Sequence, residues 1–105
     1  MNRVIVESPW AGNRNQLEAY GRECIRDCVL RGESPIASHM LFTQTGILSD
    51  DIPEERALGI KAGHAWICVA EVMAVYCDYG VSCGMREGIA VAISIGLPIV
   101  YRRLK

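Results

Sequence analysis

The segment Val72-Met73-Ala74-Val75-Tyr76 is a continuous apolar run, so a strand formed by it carries apolar residues on both faces. A strand with one wet face alternates apolar and polar residues, whereas an unbroken run predicts a parallel strand buried on both faces. Asp78–Gly84 follows as a loop, and Met85–Ile95 follows as a helix that Gly96 ends. This unit predicts a parallel sheet covered by helices.

On either side of this unit, strands and helices alternate along the chain. Apolar and β-branched runs predict strands at Arg3–Val6, Ser34–Ser38 and Leu97–Tyr101, and apolar residues at helical spacing predict helices from about Asn13 to Arg31 and from Asp51 to about Cys68. The order β-α-β-α-β-α-β predicts one α/β domain over residues 1–105. Its expected form is a small doubly wound parallel sheet of about four strands and three helices, flavodoxin-like or Rossmann-like, in three α/β/α layers.

The segment His39–Asp51 is predicted to be a loop. It is rich in Thr, Gln, Gly, Ser and Asp, and it is long for a connector in so small a domain, which indicates a substrate-covering role. Asp51 is predicted to cap the next helix, because Pro53 stands early in that helix and Glu54 completes a capping box.

The helix predicted at Met85–Ile95 has almost no polar face, since Ile89–Ile93 are all apolar and Ile95 follows. A helix that is apolar all round must be buried all round. In so small a domain that requires another subunit, so the sequence predicts a homodimer formed through this helix. The alternative is a short helix tucked under the first one.

Composition excludes several classes of protein. The 105 residues are 50% hydrophobic and carry a formal net charge of −1. Intrinsic disorder is therefore excluded, and a nucleic-acid polymer is not an expected partner, because there is no basic excess to bind phosphate. The 5 cysteines form no Cys-x-x-Cys pair, which predicts reduced thiols without disulfides or a metal site. We expect no cofactor.

The sequence gives no indication of membrane association. The most apolar stretch, Gly88–Tyr101, is interrupted by Gly96 and Pro98, and it falls short of the roughly 20 residues that a membrane helix needs. Met1–Val4 begins no long apolar run, so no signal peptide is predicted. We expect a cytoplasmic protein with no membrane partner.

Ligands of an open parallel sheet bind outside the carboxyl ends of its strands. This rule selects three loops, Glu7–Asn13, His39–Asp51 and Cys77–Gly84. The reactive or binding groups in these loops, with one more at the edge of the third helix, are Glu7, Ser8, Trp10, His39, Asp50, Asp51, Asp78, Ser82 and Glu87.

Three of these residues also fit structural roles. Ser82 at a helix start fits a helix cap as well as a site that offers a hydroxyl and backbone N–H groups to an anion. His39 fits a histidine hydrogen-bonded beneath the loop as well as a substrate contact. Trp10 fits packing on the first helix as well as stacking on a planar base.

Glu7 differs from the other candidate carboxylates. A carboxylate at the buried tip of a first strand needs a partner or a chemical task. Asp50 and Asp51 are interpreted as capping and solvated residues, and His64 as a residue of the surface or of the core.

Common catalytic and nucleotide-binding motifs are absent or incomplete. There is no Gly-x-Gly-x-x-Gly after the first strand and no Gly-x-x-x-x-Gly-Lys-Ser/Thr. Gly80–Gly84 matches the Gly-x-Ser-x-Gly pattern of a hydrolase nucleophile elbow. No histidine follows Ser82, so the triad cannot be completed in hydrolase order, and we interpret the match as accidental.

Four segments carry a family resemblance: Glu7–Gly12 (ESPWAG), Pro35–His39 (PIASH), Pro53–Arg56 (PEER) and Asp78–Met85 (DYGVSCGM). Together they resemble small bacterial and phage proteins related to the nucleoside 2-deoxyribosyltransferases. The likeness spans nearly the whole chain. It implies a doubly wound α/β fold and dimers or larger assemblies with sites near subunit interfaces.

The resemblance also implies roles for the candidate residues. In the related enzymes, a glutamate near the start of the helix after a central strand is the nucleophile on C1′ of the deoxyribose, and aspartates hold or protonate the base. Glu7, Glu87 and Asp78 are thus the candidate catalytic carboxylates, with Asp78 assisting the leaving base. The candidate substrate-binding residues are Ser8, Trp10, Gly12, His39, Ser82, Gly84 and Met85.

One position departs from the pattern of the related proteins. They often read Gly-Met-x-x-Glu where this chain reads Gly84-Met85-Arg86-Glu87-Gly88. Glu87 is therefore one residue early, which is about 100° around a helix. Three explanations are open: the helix start is shifted, Glu7 or Asp78 supplies the carboxylate, or this chain binds without catalysing.

The leading hypothesis is an enzyme that acts on the N-glycosidic bond of a deoxynucleoside or its 5′-monophosphate, as a transferase or as a hydrolase. The alternative is a non-catalytic protein of the same fold that binds or sequesters a nucleotide.

Overall fold

A computed structural model describes the whole chain, Met1–Lys105. The strands are β1 (Arg3–Glu7), β2 (Ser34–Ile36), β3 (Val72–Tyr76) and β4 (Ile99–Arg102), and the helices are α1 (Arg14–Leu30), α2 (Ser38–Leu41), α3 (Pro53–Ile67) and α4 (Cys83–Ile95). All strands run parallel in the order β2-β1-β3-β4. The doubly wound, flavodoxin-like α/β fold predicted from the sequence is confirmed.

The interior strand β3 joins two separate core clusters. Its residues Met73–Tyr76 are completely buried. Ala74 and Tyr76 pack into a cluster with α1, whereas Met73 and Val75 pack into a second cluster with α3 and α4. The unbroken apolar run of β3 is thus explained by helices on both faces of the sheet.

The segment predicted as a loop from His39 to Asp51 begins as a short helix. α2 starts at Ser38, so β2 ends earlier than predicted, at Ile36. Met40 is buried and packs directly on Gly21 of α1. A single helical turn is too short to show a period of 3.6 residues, which is why the sequence pattern did not reveal it.

The predicted capping box at Asp51 is wrong. α3 begins at Pro53, its N-cap is Ile52, and no side chain caps it. Pro53 fixes the helix start, because its dihedral angle suits the first helical position and it has no N–H to satisfy. Asp51 therefore lies one residue before the N-cap position. The carboxylate of Glu55 reaches back instead and accepts a hydrogen bond from the backbone N–H of Ser49 at 2.9 Å.

The helix α4 begins at Cys83, earlier than the predicted Met85. Ser82 is its N-cap, and the Ser82 hydroxyl accepts a hydrogen bond from the backbone N–H of Met85 at 3.3 Å. Gly96 ends the helix with a φ of 74°. The structural interpretation of Ser82 is therefore confirmed, and the N-terminus of α4 stands at the carboxyl end of β3.

α4 packs against α3 and β3 rather than under the first helix, so that alternative is wrong. Gly88 and Ala92 are among its buried residues, whereas Ile93 is 67% exposed and Ile95 is 48% exposed. The C-terminal part of α4 thus leaves two large apolar side chains uncovered within one chain. None of the helices combines the length and the apolar character needed to cross a membrane.

Candidate active site

A cavity of about 350 Å³ opens at the carboxyl end of β1. Its walls come from the residues that follow β1, from α2 and the loop behind it, from one face of α3, and from the first turn of α4. The candidate residues that line it are Glu7, Ser8, Trp10, His39, Ser82, Gly84, Met85 and Glu87. The structure therefore brings residues from distant segments of the chain around one space.

Glu7 is the last residue of β1 and faces α4. A Cβ atom added to Gly88 would lie 2.5 Å from the Oε2 atom of Glu7. The carboxyl group has no hydrogen-bond or ion-pair partner in the protein, and burial raises the pKa of Glu7 to about 8. At neutral pH Glu7 therefore keeps its proton and can donate it.

Ser8 and His39 form a hydrogen-bonded pair beside Glu7. The Ser8 hydroxyl lies 2.8 Å from Nε2 of His39, which is a residue of α2. Burial lowers the pKa of His39 to about 4, so the imidazole is neutral at physiological pH. The interior end of the cavity thus has polar groups but no formal charge.

Trp10 is enclosed by two other side chains. The Arg14 guanidinium lies 4.3 Å from the centre of its ring, and the His39 ring meets it edge to face with centroids 5.7 Å apart. The indole Nε1 is buried and has no hydrogen-bond partner. Arg14 already covers one indole face, so a base cannot stack on that face.

The outer part of the cavity carries three more carboxylates. Asp50 lies between two arginines, 3.6 Å from Arg14 and 3.8 Å from Arg56. Glu55 accepts its hydrogen bond from Ser49 at 2.9 Å. Glu87 is exposed on α4, lines the cavity, and has no partner in the protein. Glu7 and Glu87 are thus the two cavity carboxylates that no protein group engages.

The first turn of α4 forms the wall next to Glu87. Met85 is 2% exposed and fixes this turn against the core, whereas Cys83 and Gly84 are exposed. The first N–H groups of a helix have no intrahelical acceptor, so this turn offers backbone donors at the cavity. The Ser82 oxygen is already used as the cap.

Asp78 and Gly12 lie outside the cavity. The Asp78 carboxylate accepts hydrogen bonds from the Tyr20 hydroxyl at 2.6 Å, from Leu104 N–H at 3.0 Å and from Lys105 N–H at 3.3 Å. It anchors the last residues to α1, so its expected role on a leaving base is corrected: its oxygens are occupied by protein donors. Gly12 has a φ of 128°, which favours glycine in the turn after β1.

α3 contributes a wall of the cavity that was not predicted from the sequence. Arg56, Ile60 and His64 line it, and their spacing places them on one helix face. That spacing was the available signal. His64, interpreted as a surface or core residue, lies at the cavity wall. Phe42 and Leu48 add apolar surface from the segment between α2 and α3.

The structure contains no group of three His, Cys, Asp or Glu side chains that could hold a metal ion. All five cysteines are free thiols. The chemical resources of the cavity are therefore carboxylates, hydroxyls, imidazoles, an indole N–H and backbone donors.

Comparison with known proteins gives a family and a fold. The family described as "Domain of unknown function (DUF7768)" matches residues 2–102. No curated protein matches the chain by sequence.

The solved structure of a 2-deoxyribosyltransferase from Bacillus psychrosaccharolyticus is similar to the chain with a TM-score of 0.68 and 14% identity. The match covers 96% of this chain and 72% of the other. That enzyme is described as a biocatalyst for the synthesis of nucleosides. At this identity the likeness shows a shared fold.

Proposed function

The chain belongs to the DUF7768 family, and we propose that it cleaves or transfers the N-glycosidic bond of a deoxynucleoside. The observation that carries this proposal is the pair of unengaged carboxyl groups in one cavity, Glu7 and Glu87. Glu7 is half-buried, and desolvation raises its pKa to about 8, whereas Glu87 is exposed to water. Two carboxyl groups in contrasting environments can divide acid work from nucleophile or base work.

Glu7 is the proton donor in this proposal. As the bond between C1′ and the base nitrogen breaks, the Glu7 O–H transfers its proton to the base, which leaves in a neutral form. Glu87 either bonds to C1′ through a carboxylate oxygen or removes a proton from an attacking water. If Glu87 has bonded to C1′, an incoming base or water displaces it and gives its proton to Glu7, which restores both carboxyl groups. If Glu87 has instead taken a proton from the attacking water, it releases that proton to solvent and Glu7 regains one from solvent.

The position of Glu7 also addresses the glycine at position 88. The resemblance led us to expect a carboxylate there, but the Glu7 carboxyl group fills the space directly in front of Gly88. A carboxyl group supplied by β1 can therefore act in the region that a longer side chain on α4 would reach. Because Glu7 is protonated at neutral pH, it supplies a proton donor in that region, and the role of nucleophile or base falls to Glu87.

The charges of the cavity favour an uncharged substrate. Besides Glu7, its lining residues include Asp50, Glu55 and Glu87 but only one arginine, Arg56, and the adjacent Arg14 is paired with Asp50. A phosphate dianion would be repelled by this excess of carboxylates. The cavity volume of about 350 Å³ falls in the range of small-molecule sites. We therefore rank a nucleoside above its 5′-monophosphate.

The experiment is an assay for free base. The folded protein is incubated with a panel of deoxynucleosides and their 5′-monophosphates, with and without a second base as acceptor, and the products are separated by chromatography. We expect free base from at least one nucleoside, and exchange of the base if the protein is a transferase. No release across the panel would overturn the proposal.

Two variants assign the carboxyl groups. Glu7→Gln and Glu87→Gln should each lower base release by at least about 100-fold. Glu23→Gln, on the exposed face of α1 and away from the cavity, is the matched control and should keep wild-type activity. Equal activity of all three variants would exclude these roles.

The glycine at position 88 favours a second candidate, a protein that binds nucleotides without turnover. It predicts thermal stabilisation by a nucleoside or nucleotide with no release of base. The same panel therefore separates the two candidates.

Two further expectations belong to this proposal. A homodimer through α4 would cover the exposed side chains of Ile93 and Ile95. A cytoplasmic location accords with the free thiols of all five cysteines.

A further inference from the structure

The Ser8–His39 pair lies inside the cavity, and the proposed bond cleavage leaves it without a task. Ser8 is only 4% exposed, although it is polar. Its hydroxyl lies 2.8 Å from Nε2 of His39, and both residues line the cavity. Buried hydroxyls are usually engaged in this way, but the other ring nitrogen of His39 has no partner in the protein.

The imidazole is held in place by its surroundings. The Thr43 hydroxyl donates a hydrogen bond to the backbone carbonyl of His39 at 2.6 Å, and Trp10 packs against the ring edge to face. Burial lowers the pKa of His39 to about 4, so the ring carries one N–H donor and one acceptor nitrogen. Nδ1 is the nitrogen left for a ligand.

The Ser8 hydroxyl, which is the partner of Nε2, allows His39 to adopt either tautomer. A serine hydroxyl can donate or accept. If Ser8 donates to Nε2, Nδ1 carries the proton and donates to a ligand. If Ser8 accepts from Nε2, Nδ1 becomes an acceptor. Both tautomers of His39 keep the bond to Ser8, so neither leaves a buried group unpaired.

We propose that Ser8 and His39 form a specificity-determining pair that hydrogen-bonds a heterocyclic base through Nδ1 of His39 and accepts amino- and keto-substituted bases alike. This inference rests on the proposed function. An exocyclic amino group is a donor and a keto oxygen is an acceptor, so a change of tautomer satisfies either one. The substrate class is then defined by ring size and not by the exocyclic group.

The test compares 2′-deoxyadenosine with 2′-deoxyinosine, which differ in an amino or keto group on the same ring system. Binding is measured by calorimetry, and the His39 tautomer is read from ¹⁵N chemical shifts of histidine-labelled protein. We expect dissociation constants within about threefold of each other and opposite tautomers in the two complexes. The same tautomer in both complexes would overturn the inference.

Two variants distinguish an effect on recognition of the base from an effect on folding. His39→Gln retains an amide near the Nε2 position but has no group at Nδ1, so it should weaken both nucleosides by about five- to tenfold. Ser8→Ala removes the adaptable partner and should weaken both by about threefold, whereas Ser94→Ala, an exposed hydroxyl on α4, should change neither. If His39→Gln fails to fold, the Ser8→Ala affinities and the wild-type tautomers still decide.

The outcomes distinguish this inference from the proposed function. Opposite tautomers without base release would support the pair and overturn catalysis. Base release with a single tautomer would support catalysis and overturn the pair. Failure of both nucleosides to bind would overturn the pair, whereas the proposed function would still be decided by base release across the full panel.

Discussion

Two polar clusters flank the sheet, and they differ in how completely their members are paired. The first, which we name the closed network, comprises Asp27, Glu33, Tyr76 and Arg102. Arg102 donates two hydrogen bonds to Glu33, at 2.8 and 2.7 Å, and the Tyr76 hydroxyl donates to Asp27 at 2.6 Å. Hydrogen bonds from Arg102 hold the pKa of Glu33 below its usual value.

The second, which we name the cavity cluster, comprises Glu7, Ser8, Trp10 and His39. Ser8 and His39 pair with each other, but the Glu7 carboxyl group has no partner, and neither does the buried Nε1 of Trp10. Both clusters include the last residue of a neighbouring strand, Glu7 or Tyr76. The fold satisfies one cluster fully and leaves free polar groups in the other, and the proposed binding of a ligand depends on those free groups.

Breaking the closed network should have the largest effect on stability. Arg102→Met leaves Glu33 without its partner at a site where both side chains are at most 15% exposed. Removing one member of a buried ion pair costs about 3–5 kcal/mol. Urea denaturation should show a loss of about 4 kcal/mol, whereas Arg103→Met, at an exposed position, should stay within about 0.5 kcal/mol. Equal effects would show that the network contributes nothing.

Removing the Glu7 carboxyl group from the cavity cluster should stabilise the protein, whereas breaking the closed network destabilises it. The pKa of Glu7 is raised to about 8 in the folded protein, so stability from its protonated form is complete below the unfolded pKa and is lost as pH rises through about 8. Glu7→Gln removes this loss, so its gain in stability over wild type should be about 3 kcal/mol larger at pH 8 than at pH 5. Denaturation at pH 5 and pH 8 checks this; a gain that is the same at both pH values would contradict it.

The contact between Glu7 and Gly88 couples the cavity cluster to α4. Gly88→Ala gains helix propensity of about 1 kcal/mol but forces the Glu7 carboxyl group to shift. In wild type the two effects should nearly cancel, whereas with Glu7→Ala the full gain should appear. Gly84→Ala, which has open space around its Cβ, should gain stability in both backgrounds. Additive effects at Glu7 and Gly88 in a double-mutant cycle would refute the contact.

The smallest expected effect on folding lies on the outer face of α4. Ile93→Glu places a charge on the exposed apolar face, so it should convert a dimer to a monomer and change monomer stability by about 0.5 kcal/mol or less. Light scattering measures the mass, with Ser94→Glu as the control on the neighbouring position. A wild-type protein with the mass of a monomer would contradict the predicted dimer.

The architecture could be read from the sequence because its signals are local. The apolar run of β3, the cap at Ser82 and the glycine at position 96 each depend on a few neighbouring residues. α2 was missed because one turn carries no periodicity, and Asp51 was misassigned because Pro53 fixed the helix start by itself.

The location of the site could be predicted from the sequence, whereas the roles of its residues could be predicted only in part. Strand ends placed Glu7, Ser8 and His39 correctly at one edge of the sheet. The direction of Asp78 was not predictable, because its partners are Tyr20 and the end of the chain. Likewise, only the folded structure reveals that Glu7 fills the space before Gly88.

The most direct measurement is the rate of base release by the wild-type protein between pH 6 and pH 10. If the protonated Glu7 is the acid, the rate should fall about tenfold per pH unit above its raised pKa of about 8. His39 does not contribute to this fall, since burial lowers its pKa to about 4. A rate that stays level or rises through pH 8 to 10, or wild-type release by Glu7→Gln, would contradict Glu7 as the proton donor.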